Sequence, residues 1–333
     1  MTRSRRLTLV APDAGESLAY AVSEQREAPL LARLAGRGTT RLAWSRRLPG
    51  IALRPWQRGL LEALNVSSSI GGSAALSALG ADLPMADASC CLHAQPVHLT
   101  AGLDSVTFAT LPAQGRASAA EHEALTATLR AYFPVDGFML HLAEREWFLS
   151  TSRALQIETS TPDAAASNEL QKTMPGGADA RVLRRLMTEL QMLLHEHPVN
   201  QARAHAGLPT LNALWLWGAQ PLGSERAASL PAAFAEDSFT RGVYRLHGAK
   251  TQPVADAASL IESLQESALV VVPATSLENL QNDWIEPLVR GLAEGRVDRL
   301  DLVLDEWHVV VPRWALRKFW RRALPIAQWS ATS

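Results

Sequence analysis

Cysteine is nearly absent from the sequence. Cys90 and Cys91 are the whole supply, and they are neighbours. Adjacent residues of an extended strand point to opposite faces, so a bond between them would be strained. That excludes a disulfide framework and a zinc site built on Cys₄ or Cys₂His₂ spacing. Such a chain suits a reducing compartment, and a cytoplasmic location is expected. Net charge is missing too. The formal balance is −1, with 32 basic residues spread along the chain except near its C-terminal end. No global field therefore draws in nucleic acid or a membrane. No apolar run approaches the roughly 20 residues of a membrane-spanning helix. The basic opening MTRSRRLTLVAPDAG is interrupted by Asp13 too early for a secretory signal. Histidine is sparse late in the chain, where only His308 follows residue 248.

What is present is a 47% hydrophobic chain of 333 residues, enough for one large domain or two ordinary ones with a well-buried core. LTLVA (7–11) reads as a buried strand stopping at the turn Pro12-Asp13-Ala14-Gly15, and a helix carrying Leu30, Leu31 and Leu34 follows. A strand, an acidic turn and a helix usually open an α/β sheet, in which ligands collect at the carboxyl ends of strands. PWQRGLLEAL (55–64) predicts a short helix. SSSIGGSAALSALGADLP (67–84) predicts a Ser/Gly turn feeding a small-residue helix.

The texture changes near residue 89. SCCLHAQPVHL and SVTFATL read as strands, and GFMLHLA with EWFLS as a hairpin. SAAEHEALTATLRAYF (118–133) reads as an amphipathic helix with Ser118 and Glu121 as a capping box. Residues 159–178 read as a polar loop. A helix over about 179–196 puts Leu183, Leu186, Leu190 and Leu193 on one face. Further on, LNALWLWG (211–218) and ALVVVP (268–273) read as buried parallel strands, and RLDLVLD (299–305) with HVVVP (308–312) as late antiparallel ones. The expected layout is a discontinuous α/β domain, 1–88 and 198–333, interrupted by an inserted α+β domain over 89–197.

Two motifs stand apart. In HPVNQARAHAGLP (197–209), Asn200 and Arg203 are three apart and share a helical face. An amide beside a guanidinium makes a fork for carboxylate or phosphate. The same residues also suit a cap and hinge. Asn200 would then cap a helix beginning after Pro198, Arg203 would pair with a surface acid, and Gly207-Leu208-Pro209 would end the helix. In PRWALRKFWRRALP (312–325), Arg313, Arg317 and Arg321 recur every four residues beside Lys318 and Arg322, opposite Leu316, Phe319, Trp320 and Ala323. This predicts a short basic amphipathic helix. Such helices meet membranes, acidic partners or nucleic acid, or pack their apolar side on their own domain. Here the packed arrangement is expected, with Trp320 in the core.

In this order the motifs resemble the archaeal-type cofactor-independent phosphoglycerate mutases of the alkaline phosphatase superfamily. VAPDAG is similar to that family's first strand and turn, PLLARLAGRG (29–38) to its next helix, and GGSAALSALGADLP to its Ser/Gly turn and helix. LHAQPVHLTAGLDSVTF resembles the start of its insert. HEHPVNQARAHAGLPTLNALWLWG resembles its His-Pro-x-Asn, Arg, Gly-Pro segment before a buried strand. FWRRALP resembles the Trp-rich end of a proteobacterial branch of regulatory proteins.

The resemblance implies an alkaline phosphatase-like, mostly parallel sheet flanked by helices and interrupted by the α+β insert. It implies two divalent metals, Mn or Zn, activating a Ser or Thr nucleophile. Ser73 is the first choice for that nucleophile and Ser69 the next. Asp13 would be the first acidic metal ligand, with Asn200 and Arg203 on the substrate. Asp13 equally suits a helix N-cap, and a serine in such a turn also caps helices.

The departures are chemical. The family often carries an Asn just past its nucleophile, where this chain has Ala74-Ala75. No Asp-His dipeptide occurs. The family's Thr-Asp-x-x-x-His after the ALVVVP strand becomes ATSLENLQNDW, with Asp283 alone. His308 reads as a packing histidine, and His93, His98, His122 and His141 fall in the insert. Trp217 stands where the family often has an Arg, suggesting an apolar surface for a protein. The expectation is a non-catalytic phosphoglycerate mutase-like protein with a regulatory or binding role and no cofactor. Its partner would be a protein or a phosphorylated small acid, not nucleic acid. The alternatives are a metal-dependent mutase or phosphatase with a rearranged Mn or Zn site, and a sensor holding a phosphorylated small acid without turnover.

Overall fold

A computed structural model describes residues 4–332 except 13, 25, 43–52, 86, 102–105, 110–116, 144–145, 225–226, 228 and 255. The chain divides into two units. One comprises Met1–Ser45, Pro55–Ile70 and Glu225–Ser333; the other comprises Arg46–Arg54 and Gly71–Ser224. The second unit is thus wider than the expected 89–197 insert at both edges.

Strands are numbered along the chain. The first unit holds β1 (Arg6–Ala11), β2 (Thr39–Leu42), β8 (Ala232–Phe234), β9 (Ala268–Val271), β10 (Arg299–Leu304) and β11 (Trp307–Pro312). The second holds β3 (Cys90–Ala101), β4 (Val106–Ala109), β5 (Met139–Ala143), β6 (Glu146–Thr151) and β7 (Ala213–Trp217).

The first unit is an α/β sheet in the order β2-β11-β10-β1-β9-β8. β10, β1, β9 and β8 run parallel, and β11 and β2 continue the sheet antiparallel. β1 is central, with Leu9 registered between Leu302 and Val270. Its Leu7, Leu9 and Val10 are wholly buried, because a parallel strand covered on both faces reads as a continuous apolar run. Helices Pro29–Arg37, Ala257–Ser263 and Glu286–Glu294 contribute their apolar stripes to the same core. The sheet shared by LTLVA and ALVVVP, and the antiparallel pair of β10 and β11, agree with the sequence reading.

Residues 312–325 do not form the expected amphipathic helix. Arg313–Arg317 make one 3-10 turn, and the chain then runs on without regular structure. The Leu324 amide donates to the Ala32 carbonyl at 2.8 Å, which binds the segment along the Pro29–Arg37 helix. Trp320 is 68% exposed, so it is not the core residue expected. That place belongs to Trp329. Its ring is wholly buried, stands edge-on to Trp307 at 5.5 Å, and donates its indole N–H to the Leu324 carbonyl.

The second unit is built on β3. Cys90–His93 pair with β6, His93–Val97 with β7, and His98–Ala101 with β4; β5 completes a hairpin with β6. All these pairings are antiparallel. β7, expected as a buried parallel strand like β9, is therefore corrected to an antiparallel strand of the second unit. A continuous apolar run marks a strand buried on both faces but not its direction. Helix Ala119–Tyr132 carries the predicted capping box, and helix Ala180–His195 buries Leu183, Leu186 and Leu190. The expected loop 159–178 contains two short helices, Pro162–Ser167 and Leu170–Thr173, and buries Thr159, Ser160 and Thr161. Among the described residues no helix is long and apolar enough to cross a membrane.

Candidate functional site

Ser73 begins helix Ser73–Gly80 and is wholly buried. β3 brings His93 to it, with the serine Oγ 3.0 Å from His93 Nε2. Trp217 of β7 stacks on the imidazole with ring centroids 4.4 Å apart, and Phe148 of β6 closes another side at 4.9 Å. A hydroxyl within reach of an imidazole is the arrangement of an activated nucleophile. Here the base is weak. Burial pushes the His93 pKa down to about 3, the nearby Arg54 charge pushes the same way, and the hydrogen bond with Ser73 only partly offsets them. A general base works best with a pKa near the working pH. His93 is far below that.

Around the pair the polar groups are engaged. Arg54 holds Asp163 through two parallel hydrogen bonds of 2.8 and 2.9 Å. Thr159 Oγ1 accepts from the Gly218 amide at 3.0 Å. The glycine of the turn has its own neighbour. A Cβ on Gly72 would lie 2.7 Å from the Gln220 carbonyl oxygen and would also strike the Gly218 carbonyl. Gly72 itself donates its amide to the Gln220 carbonyl. The space a Gly-rich turn gives a ligand is filled by residues 218–220. Gly72→Ala is accordingly expected to destabilise the protein by roughly 1–3 kcal/mol, the range for overpacking against a wall that cannot yield. Urea unfolding checks this, and an unchanged midpoint would mean that the 218–220 segment is not packed there.

Asp13 lies outside the described residues. Ser69 sits exposed in the 3-10 turn Ser68–Ile70, its Oγ 2.7 Å from that of Ser67. Asn200 is buried and knits backbone: its amide donates to the Leu194 and Leu211 carbonyls, and its Oδ1 accepts from the Leu211 amide. His197, not Asn200, caps helix Pro198–His205. Arg203 is 2% exposed. Its Nε donates to the Pro209 carbonyl at 2.7 Å, and its Nη1 donates to both Glu121 carboxylate oxygens at 3.1 Å. Burial raises the Glu121 pKa, but hydrogen bonds from Ser118 and Arg203 outweigh it and hold the carboxyl below its usual range. Trp217 is an interior residue, not the surface expected. His308 is buried, its Nδ1 3.0 Å from an Arg41 nitrogen.

In the first unit a cleft of about 540 Å³ is lined by Ser17, Tyr20, Arg26, Glu27, Glu278 and Gln281, among others. Among the described residues no three His, Cys, Asp or Glu side chains are grouped to hold a metal ion. The two cysteines are buried and unbridged, with burial pushing their thiols up to about 11 and 12. That leaves them inert as nucleophiles.

Residues 59–200 match the family model described as 2,3-bisphosphoglycerate-independent phosphoglycerate mutase. Over this stretch the chain is phosphoglycerate mutase-like. A curated 2,3-bisphosphoglycerate-independent phosphoglycerate mutase from Methanothrix thermoacetophila is 45% identical over 51 residues, which is 15% of this chain and 13% of the relative. The chain thus matches only a small part of that relative's length. Two solved structures are similar. A cofactor-independent phosphoglycerate mutase from Thermoplasma acidophilum has a TM-score of 0.43 at 16% identity, with 93% of this chain and 89% of that one covered. A Pyrococcus horikoshii protein has a TM-score of 0.49 at 13% identity, covering 94% and 88%. The phosphoglycerate mutase-like stretch contains Ser73, His93 and Asn200 and ends before Arg203.

The sequence reading missed His93, the Arg54–Asp163 pair and Thr159. One signal was available. Alternation along β3 puts His93 on the face of Cys91, which packs with Ala74 and Ala78 of the helix that Ser73 begins.

Proposed function

We propose that this is a non-catalytic phosphoglycerate mutase-like protein with a regulatory or binding role. The observation that carries the reading is the closed Ser/Gly turn. Ser73 is sealed from solvent, its histidine neighbour is a feeble base, and the chain's own Gly218–Gln220 backbone occupies the approach to Gly72. A phosphoryl acceptor must meet its substrate in line, and a wholly buried hydroxyl does not.

The donor set supports the same conclusion. The resemblance implies two divalent ions, and the described residues supply no group of three suitable ligands. The described residues do not fit a two-metal centre. The sensor alternative has little support. Asn200 and Arg203 are engaged with the chain's own carbonyls and Glu121. The first unit's cleft sets Glu27 and Glu278 alongside Arg26, and those carboxylates oppose a phosphorylated acid.

Elemental analysis of the purified protein tests the reading. No stoichiometric Mn or Zn is expected. Two ions per chain would mean a rebuilt metal site and would return the protein to the mutases.

A further inference from the structure

In the first unit, the segment after β11 buries Ala315 in the core but leaves a run of rings and cations outside it. Between β11 and the buried Trp329, residues 313–322 display Trp314, Phe319 and Trp320 at 60%, 79% and 68% exposure. Arg313, Arg317, Lys318, Arg321 and Arg322 are interleaved with them, and no acidic residue follows Glu306. The segment is held at both ends. The Arg313 amide donates to the Asp298 carbonyl, and the Leu324 amide to that of Ala32.

We propose that this segment docks the protein on an anionic lipid surface. Three large rings left in water cost apolar exposure that a folded chain ordinarily hides. Aromatic rings flanked by Lys and Arg suit the headgroup layer, where the rings enter the interface and the cations meet phosphate. The ring geometry disfavours single-stranded nucleic acid, which needs open faces for base stacking. Lys318 Nζ sits over the Trp314 ring, 4.2 Å from its centre, and Phe319 and Trp320 stand edge to face at 83°. A standard protein interface takes about 20–30 residues a side, more than one ten-residue loop supplies. A planar lipid surface asks only for the loop.

The test is flotation of the full chain with phosphatidylcholine vesicles, with and without phosphatidylserine. Binding is expected only to the phosphatidylserine vesicles and should fall as salt rises. Arg317→Gln with Arg321→Gln should weaken it roughly 25-fold, at about 1 kcal/mol per cation near the surface. Trp320→Ala should weaken it too while leaving the melting temperature essentially unchanged, so lost binding cannot be lost folding. No flotation, equal binding to neutral vesicles, or binding untouched by these substitutions would overturn the proposal. Binding to a labelled single-stranded oligonucleotide without vesicle binding would replace it with a nucleic-acid role.

Discussion

Arg203→Ala is expected to destabilise the protein by roughly 1.5–3 kcal/mol, the range for hydrogen bonds to a charged group, because Arg203 is buried but Glu121 is partly open to solvent. Arg203 is among the largest fully buried side chains. Its loss leaves the Pro209 carbonyl and part of the Glu121 carboxylate without their donor. Glu121 also closes the capping box of helix Ala119–Tyr132, so the damage reaches a second element. Arg203→Lys should recover only part of the loss, because an ammonium cannot keep the planar fork. Denaturant unfolding gives the number. A change under about 1 kcal/mol, with binding of a phosphorylated three-carbon acid lost, would make Arg203 a ligand-binding residue and revive the sensor.

A pH dependence follows from His93. In the folded chain its pKa is lowered from 6.5 to about 3. Below about pH 6.5 the unfolded chain takes up a proton that the folded chain refuses, so stability falls with pH. The loss continues to about pH 3, where the folded histidine also titrates. The slope from this residue is roughly 1.4 kcal/mol per pH unit. Burial also lowers the pKa values of His141, His197 and His308, and these act in the same direction. The contribution of His93 is therefore read as a difference. Between pH 6 and pH 5, where most carboxylates are still ionised, His93→Gln should lose less stability than the parent by about 1 kcal/mol. Parallel curves for the two proteins would mean that His93 is protonated, or open to water, in the folded state.

Much of the fold was legible because its signals are local. The continuous apolar run of β1, the strand at 268–271 and the Ser118–Glu121 box each announce themselves within a few residues. β7 was legible as a buried strand, but its partner was not, since ALWLW carries no information about direction. The C-terminal segment misled for another reason. Its cations fall at helical spacing, yet a helix this short is marginal without tertiary support. The bond from Leu324 to Ala32 fixes a different path.

The candidate site divides in the same way. Ser73 was visible as a serine in a turn, and Asn200 and Arg203 as a tight motif. Nothing local revealed that residues 218–220 close over Gly72, or that the polar run at 159–161 folds inward with Thr159 bound to the Gly218 amide. Those contacts join positions far apart in sequence. They separate a serine that looks available from one that is sealed.

The most direct measurement is ³¹P NMR of 3-phosphoglycerate incubated with the purified protein and added Mn²⁺. No 2-phosphoglycerate above the protein-free control is expected, and Ser73→Ala should change nothing in that spectrum. Conversion that Ser73→Ala abolishes would contradict the account, because a buried hydroxyl beside a weakly basic histidine would then have accepted a phosphoryl group.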